Sequence, residues 1–426
     1  MRPLRRLSVF LAAVLAAGGC SMVDADESLS VLASWTGAEE TAFLKVLKGF
    51  EDETGIKVNY TGTRALNQVL QADVQKGQAP DIAVLPSPGE LANYVRDGYV
   101  HDVDGILGDR PEESYSTQWL KLLKVETGKI QAVPVKTDLK SIIWYNPITF
   151  GRPPPTSWDE LTATTDALRA RGVAPWCVGM GATPASGWPG TDWIEDILLH
   201  QSGPAAYQRW SAGTLRWDSP EVKRAWTTWG ELVTTPGSVR GGTTAALLTE
   251  FGDAGRGMFT GPPACMMEHQ GSFMLGGYRN QGVPGQNFGY FPFPASAANP
   301  KGASEVSADL ATMFRPSDRA RRFMAYLADE RGQKVWPALG SAFSANKKVN
   351  VYADDVSRRI AARLISEDTL CFDASDLMPA TMSDAFSRAA LEYLGNPASL
   401  DSLLDSLEKV RTGIDPDDQL EVACGG

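Results

Sequence analysis

The side chains in this sequence that could do chemistry are suited to holding a ligand more than to transforming one. His101, His200 and His269 are scattered, and no GxSxG nucleophile turn, HExxH zinc motif, phosphate loop or GxGxxG fingerprint occurs. A hydrolase acting through two carboxylates stays open, because 51 acidic residues can always supply a pair. Twelve tryptophans offer flat apolar faces, and planar Asp, Glu, Asn, Gln and Arg groups make paired hydrogen bonds. Trp35, Glu39 and Arg64 combine these types near the ends of the first two expected strands. Trp35 can equally cap a core, Glu39 can close a capping box with Thr36, and Arg64 can sit in solvent. Trp188, Asp192 and Trp193 form a sharper group, in which the Gly187 to Gly190 turn leads into a helix from about Thr191. There Asp192 meets free backbone N–H groups, which gives it a purely structural alternative, and Trp193 is expected to pack inward.

The elements that must position these residues are legible in the periodicity. Leu29 to Trp35 is an apolar run, Phe43, Leu44, Leu47 and Phe50 recur at helical spacing, and Gly55 ends that helix. Ile56 to Tyr60 alternates as a strand, Leu66 to Val74 is amphipathic, and Asp81 to Leu85 is a buried strand. Strand, helix, strand, helix, strand predicts an α/β fold with a parallel sheet covered on both faces, and ligands bind such sheets at the carboxyl ends of strands. The loops Trp35 to Glu39, Thr61 to Arg64 and Pro86 to Gly89 are therefore the ones to inspect. Residues 141–305 form a second region rich in Trp, Gly and Pro, after which helical periodicity returns over Arg319 to Trp336 and Ser383 to Val410.

Arg2, Arg5 and Arg6 precede an apolar run, Leu7 to Ala17, that is shorter than the roughly 20 residues a spanning helix needs. Residues 1–19 therefore read as an export signal. Leu15-Ala16-Ala17-Gly18-Gly19-Cys20 resembles the lipobox of bacterial lipoproteins, with Ala17 where Leu is usual. That resemblance implies a lipidated Cys20, a tether over residues 20–28 and an extracytoplasmic protein held at the cell membrane. Without residues 1–19 the chain carries 37 basic and 51 acidic residues, a net charge near −14 that argues against nucleic acid. Some 400 residues suffice for two cores. Cys177, Cys265, Cys371 and Cys424 allow three disulfide pairings. The expected one joins Cys177 to Cys265 and Cys371 to Cys424, which would pin the C-terminal tail.

Gly128-Lys-Ile-Gln-Ala-Val-Pro134, Ile142-Ile-Trp-Tyr-Asn-Pro147 and Pro155-Thr-Ser-Trp-Asp-Glu-Leu161 resemble the central stretch of family 1 extracellular solute-binding proteins, the maltose-binding-protein-like receptors of carbohydrate ABC importers. Gly187 to Asp196, Ser307 to Leu310 and Asp376 to Pro379 extend the resemblance, and the block around Trp188 is most like the alpha-glucoside branch. The resemblance implies a two-lobed periplasmic-binding-protein type II fold with an interlobe cleft and hinge crossovers near Lys136 to Lys140, Ser307 to Leu310 and after Ala342 to Ala345. Lobe 1 would hold 29–137 plus 310–342, and lobe 2 would hold 141–306 plus 346–426. It further implies an oligosaccharide ligand, ABC permease partners, a monomer, no cofactor or metal and no catalysis. The expected sugar-binding residues are Trp35, Glu39, Arg64, Asp138, Trp188, Asp192, Glu268, Gln270, Asp309 and Asp376. Met266 or Met267 stands in for an aromatic that relatives carry after the Gly261-Pro262 turn. Asp138 can instead pair internally with Lys136 and Lys140, and Asp309 and Asp376 can cap helices or pair with arginines. A receptor for a non-sugar solute is the other rival.

Overall fold

The computed structural model describes residues 28–124, 128–281, 283–284, 287–300, 302–366 and 369–424. Cys20, the export signal and nearly all of the tether lie outside the described residues. The chain opens as expected, with β1 (Ser28–Ala33), α1 (Ala38–Thr54), β2 (Lys57–Gly62), α2 (Leu66–Gln75), β3 (Ile82–Leu85) and α3 (Pro88–Arg96). Helix α1 buries Phe43, Val46, Leu47 and Phe50, and Gly55 terminates it in the left-handed conformation, φ 74°. Its start differs from the capping-box expectation. Gly37 is the N-cap, at a positive φ of 62°, so no side chain caps the helix and Glu39 is left free for other partners.

Strands β1, β2 and β3 are parallel in the order β2-β1-β3. The sheet then becomes mixed, contrary to the all-parallel expectation. β8 (Ser304–Met313) runs antiparallel to both β3 and β4 (Val133–Leu139), because the chain re-enters this sheet from the far side. β9 (Leu370–Phe372) extends the same sheet along the start of β8. A second, antiparallel sheet has the order β6-β5-β7, formed by β5 (Ile142–Tyr145), β6 (Met267–His269) and β7 (Gly289–Pro292). The long periodic stretches near the end are each broken. Asp329 separates the helix Asp318–Ala328 from a short one, and Asn396-Pro397 separates Ala380–Gly395 from Leu400–Thr412.

Two hydrophobic cores follow these sheets. One gathers Trp35, Phe43, Phe50, Phe323 and Trp336, and the other Trp176, Trp193, Trp210, Trp226 and Phe386. Cys177 pairs with Cys265, and Cys371 with Cys424, which fastens the C-terminal tail to β9 as expected. Ten of the twelve tryptophans are fully buried, so only Trp158 and Trp188 have faces left to offer a ligand. Among the described residues no helix is long and apolar enough to cross a membrane.

Candidate functional site

Three segments of the chain run side by side where the two sheets meet. In the β4·β8 pair Lys136 lies opposite Asp309 and Asp138 opposite Ser307, and the Thr137 N–H donates to the Phe343 carbonyl at 3.0 Å. Side chains alternate along a strand, so Lys136, Asp138 and Lys140 share one face at the end of β4. Both lysines are nearly buried and surrounded by carboxylates. Lys136 Nζ is 3.1 Å from Glu39 Oε1, 3.6 Å from Asp309 and 3.7 Å from Asp138. Lys140 Nζ is 2.7 Å from Asp192 Oδ2 and 3.0 Å from Asp373 Oδ2. Arg64 closes on the other oxygen of Glu39 at 2.7 Å, and Ser272 Oγ donates to Asp138 at 2.8 Å.

Aromatic rings cover the two ammonium groups. Lys140 Nζ is 5.1 Å from the Trp188 ring centroid and Lys136 Nζ is 5.6 Å from that of Trp336, while Phe273 lies about equally near both lysines, 5.9 and 6.0 Å away. Trp188 in turn meets Phe251 at 4.8 Å and Phe273 at 5.8 Å. The helix that presents it begins earlier than the spacing suggested, at Trp188, with Gly187 as N-cap at φ 108°. Pro189 is tolerated in that first turn because its N–H would have no intrahelical partner. Asp192 consequently lies past the helix start, and its charge answers Lys140 instead of the helix terminus.

The loop Pro86 to Gly89 reaches the same place. Ser87 Oγ accepts from the Glu90 N–H as the N-cap of α3 and donates to the Asp376 carbonyl at 2.6 Å. A Cβ on Gly89 would lie 2.5 Å from the Met378 carbonyl, so only glycine permits this approach.

Charge settles unevenly over these groups. Burial alone would raise the Glu39 carboxyl, but Lys136 and Arg64 bring it below the usual glutamate value. Burial pushes Asp309 up to about 6, against the pull of Lys136. Asp192 and Asp373 share one ammonium: burial and the Asp373 charge carry Asp192 to about 7, whereas at Asp373 the pull of burial is overcome by Lys140 together with hydrogen bonds from Glu195 and the Asp376 N–H, which hold it low. Burial and Asp373 keep Asp376 well above the carboxylate range. Groups of this kind bind hydroxyls as donor or acceptor according to their proton.

Several expected site residues sit elsewhere. Trp35 is 1% exposed, its ring wedged against Phe43 and Trp336, so it seals a core and presents no face to the cleft edge. Met266 and Met267 are core residues and give no platform. Gln270 Oε1 accepts from its neighbour Gly271 at 3.1 Å. Glu268 is 1% exposed, accepts from the Tyr278 hydroxyl, and is pushed up to about 8 by burial. Glu268 should therefore cost stability as pH rises from its ordinary 4.5 toward 8, by up to about 1.4 kcal/mol per pH unit, since the folded state holds a proton the unfolded state has released. Glu268→Gln is expected to leave the urea midpoint at pH 5 nearly unchanged and to raise it at pH 8; equal midpoints for the two proteins at pH 8 would contradict this.

Grouped at the crossing are Glu39, Arg64, Asp138, Trp188, Asp192, Asp309 and Asp376. The sequence places Lys136 and Lys140 at a crossover and Ser87 in a loop to inspect, without assigning these residues to the ligand site, and it gives no indication of Phe273, Phe251, Trp336 or Asp373. The alternation Lys136, Asp138, Lys140 is the signal for the two lysines, and the position of Pro86 to Gly89 after a strand is the signal for Ser87. A pocket lined by Trp119, Leu122, Val306 and Phe372, with Gln118, Lys121 and Glu421 beside them, contains none of the charged groups of this site.

A mixed α/β body with its charged and aromatic groups at crossing strands defines a two-domain binding protein. Residues 34–334 match the family model described as bacterial extracellular solute-binding protein, and the chain belongs to that family. It is 33% identical to the osmoprotective compounds-binding protein GgtB of Synechocystis sp., over 91% of this chain and 94% of that one. It is 30% identical to the alpha-glucosides-binding periplasmic protein AglE of Rhizobium meliloti, over 88% of this chain and 85% of that one. The fold is shared with the bacterial solute receptor AcbH, at TM-score 0.80 and 15% identity over 91% of this chain and 98% of that one. Maltose-bound MalE3 of T. maritima superposes at TM-score 0.70 with 16% identity, over 91% and 99%.

Proposed function

We propose that this protein is the lipid-anchored, extracytoplasmic receptor of a carbohydrate ABC importer, and that it binds an α-glucoside and delivers it unchanged to the permease. The carrying observation is the ring of carboxylates around Lys136 and Lys140 beneath Trp188 and Phe273. It supplies acceptors for hydroxyls and an aromatic face for the sugar's C–H groups. The 30% identity to a protein named for alpha-glucosides supports the ligand class.

In this reading residues 29–137 plus 310–342 form one lobe and 141–306 plus 346–426 the other. Glu39 and Arg64 then contact the sugar from the first lobe, Asp309 from the crossover Ser307 to Leu310, and Trp188 and Asp376 from the second lobe. Asp138 and Asp192 hold the lysines in place. A ligand that touches both lobes stabilises the closed arrangement, in which Ser87 reaches Asp376. Closure presents a monomeric receptor to the permease, and Cys20 supplies the anchor.

A thermal-shift panel tests this. A ligand that binds only the folded state at about 100 times its Kd adds about 2.7 kcal/mol of stability. Maltose, trehalose or another α-linked glucoside is expected to raise Tm most. The broader name of the Synechocystis relative brings polyols and zwitterionic osmolytes into the panel. A shift with these alone, or release of glucose from the bound sugar, would overturn the proposal.

A further inference from the structure

Behind Lys140 lies a group of buried acids of which Glu195, Asp196 and Glu305 take no part in holding a solute. Asp192, Glu195, Asp196, Glu305 and Asp373 are each no more than 3% exposed. Lys140 bonds Asp192 and Asp373, and Asp196 lies 2.8 Å from His269 Nε2 and 3.4 Å from His200 Nδ1. Even with Lys140 and both imidazoles counted as cations, five carboxylates exceed them by two charges. Glu305 marks where that surplus falls. It is 0% exposed and neither of its oxygens has a hydrogen-bond partner, whereas Glu195 shares a hydrogen bond with Asp373. One oxygen each from Asp192, Glu305 and Asp373 lie within 4.8 Å of one another.

That spacing is what a single ion can span. Calcium binds oxygens at about 2.3 to 2.6 Å, so two on opposite sides of it stand up to about 5 Å apart. The donors are carboxylate oxygens, which favour a hard cation over the nitrogen and sulfur sites of zinc. Asp373 Oδ1 is filled by Ser375 Oγ and the Asp376 N–H, but Asp373 Oδ2 and the oxygens of Asp192 keep lone pairs beside their bonds to Lys140, since each carboxylate oxygen accepts twice.

We propose that Asp192, Glu305 and Asp373 form a binding site for a calcium-class divalent cation. The ion ties strand β8, the segment after β9 and the helix Trp188–Ser202 together beneath Lys140. It offsets the two surplus charges and fixes the carboxylates that hold that lysine, whatever solute the protein carries. The rival arrangement places protons on Glu195 and Glu305, whose carboxyls burial and neighbouring acids push far upward.

Protein stripped with a chelator at pH 7.5 and titrated with CaCl2 in a calorimeter distinguishes the two. One saturable site is expected, with a rise in Tm. Terbium, used as a calcium probe, should give luminescence on excitation of tryptophan, because Trp193 adjoins Asp192, and calcium should displace it. Glu305→Gln is expected to weaken calcium binding at least tenfold while leaving a cooperative melt. No heat and no Tm change in the wild type would assign the balance to protons and overturn the proposal. Calcium binding unaltered by Glu305→Gln would place the ion elsewhere and overturn it equally. Should Glu305→Gln fail to fold, the wild-type calorimetry and terbium displacement decide alone.

Discussion

Lys140→Met is expected to lower stability by about 3 to 5 kcal/mol at pH 7.5 and to abolish solute binding, the largest effect of any single substitution at the site. Methionine keeps much of the buried stem volume, so the loss is that of the ammonium between Asp192 and Asp373. Removing one partner of a buried pair leaves the other charge uncompensated, at a cost of this size. The sign of its pH dependence follows. Without the lysine both carboxyls are pushed up by burial, so acid restores neutrality and the deficit should shrink from pH 7.5 to pH 5. Urea midpoints of wild type and variant at the two pH values measure it. A deficit that is constant or grows in acid would mean the lysine is not the counter-ion these carboxylates depend on.

Trp188→Ala should separate binding from stability. Trp188 is partly exposed over Lys140 and Phe273, whereas Trp193, five residues on, is 2% exposed and meets Trp176 edge-on at 4.8 Å. Loss of the Trp188 face is expected to weaken sugar binding by about 2 kcal/mol, close to thirtyfold, with a small change in unfolding midpoint. Trp193→Ala should instead cost about 3 to 5 kcal/mol of stability through the cavity it leaves. Calorimetric titration beside denaturant unfolding checks both. Equal affinity for Trp188→Ala and wild type would remove the tryptophan from the site.

The contrast between those two tryptophans shows what the sequence can convey. Helical position placed Trp193 inward, and the Gly-Pro run marked Trp188 as special, yet the helix start was misjudged because Pro189 reads as a breaker when it in fact occupies the first turn. Trp35 was misplaced for a different reason. Its burial depends on Trp336, some 300 residues away in the chain, and periodicity carries no information about such a partner. The strand and helix order of the first hundred residues was legible because each element shows its own period. The turn to a mixed sheet was not, since β8 returns only after the whole second region. Likewise Lys136, Asp138 and Lys140 declare a shared face, but Asp373 and Phe273 join them through the fold alone.

A crystal structure with the saccharide that gives the largest thermal shift tests the account most directly. It should show an intact sugar lying on Trp188 and Phe273, with hydroxyls hydrogen-bonded to Glu39, Asp309 and Asp376 between two closed lobes. A sugar bound away from Lys136 and Lys140, or cleaved in the site, would contradict it.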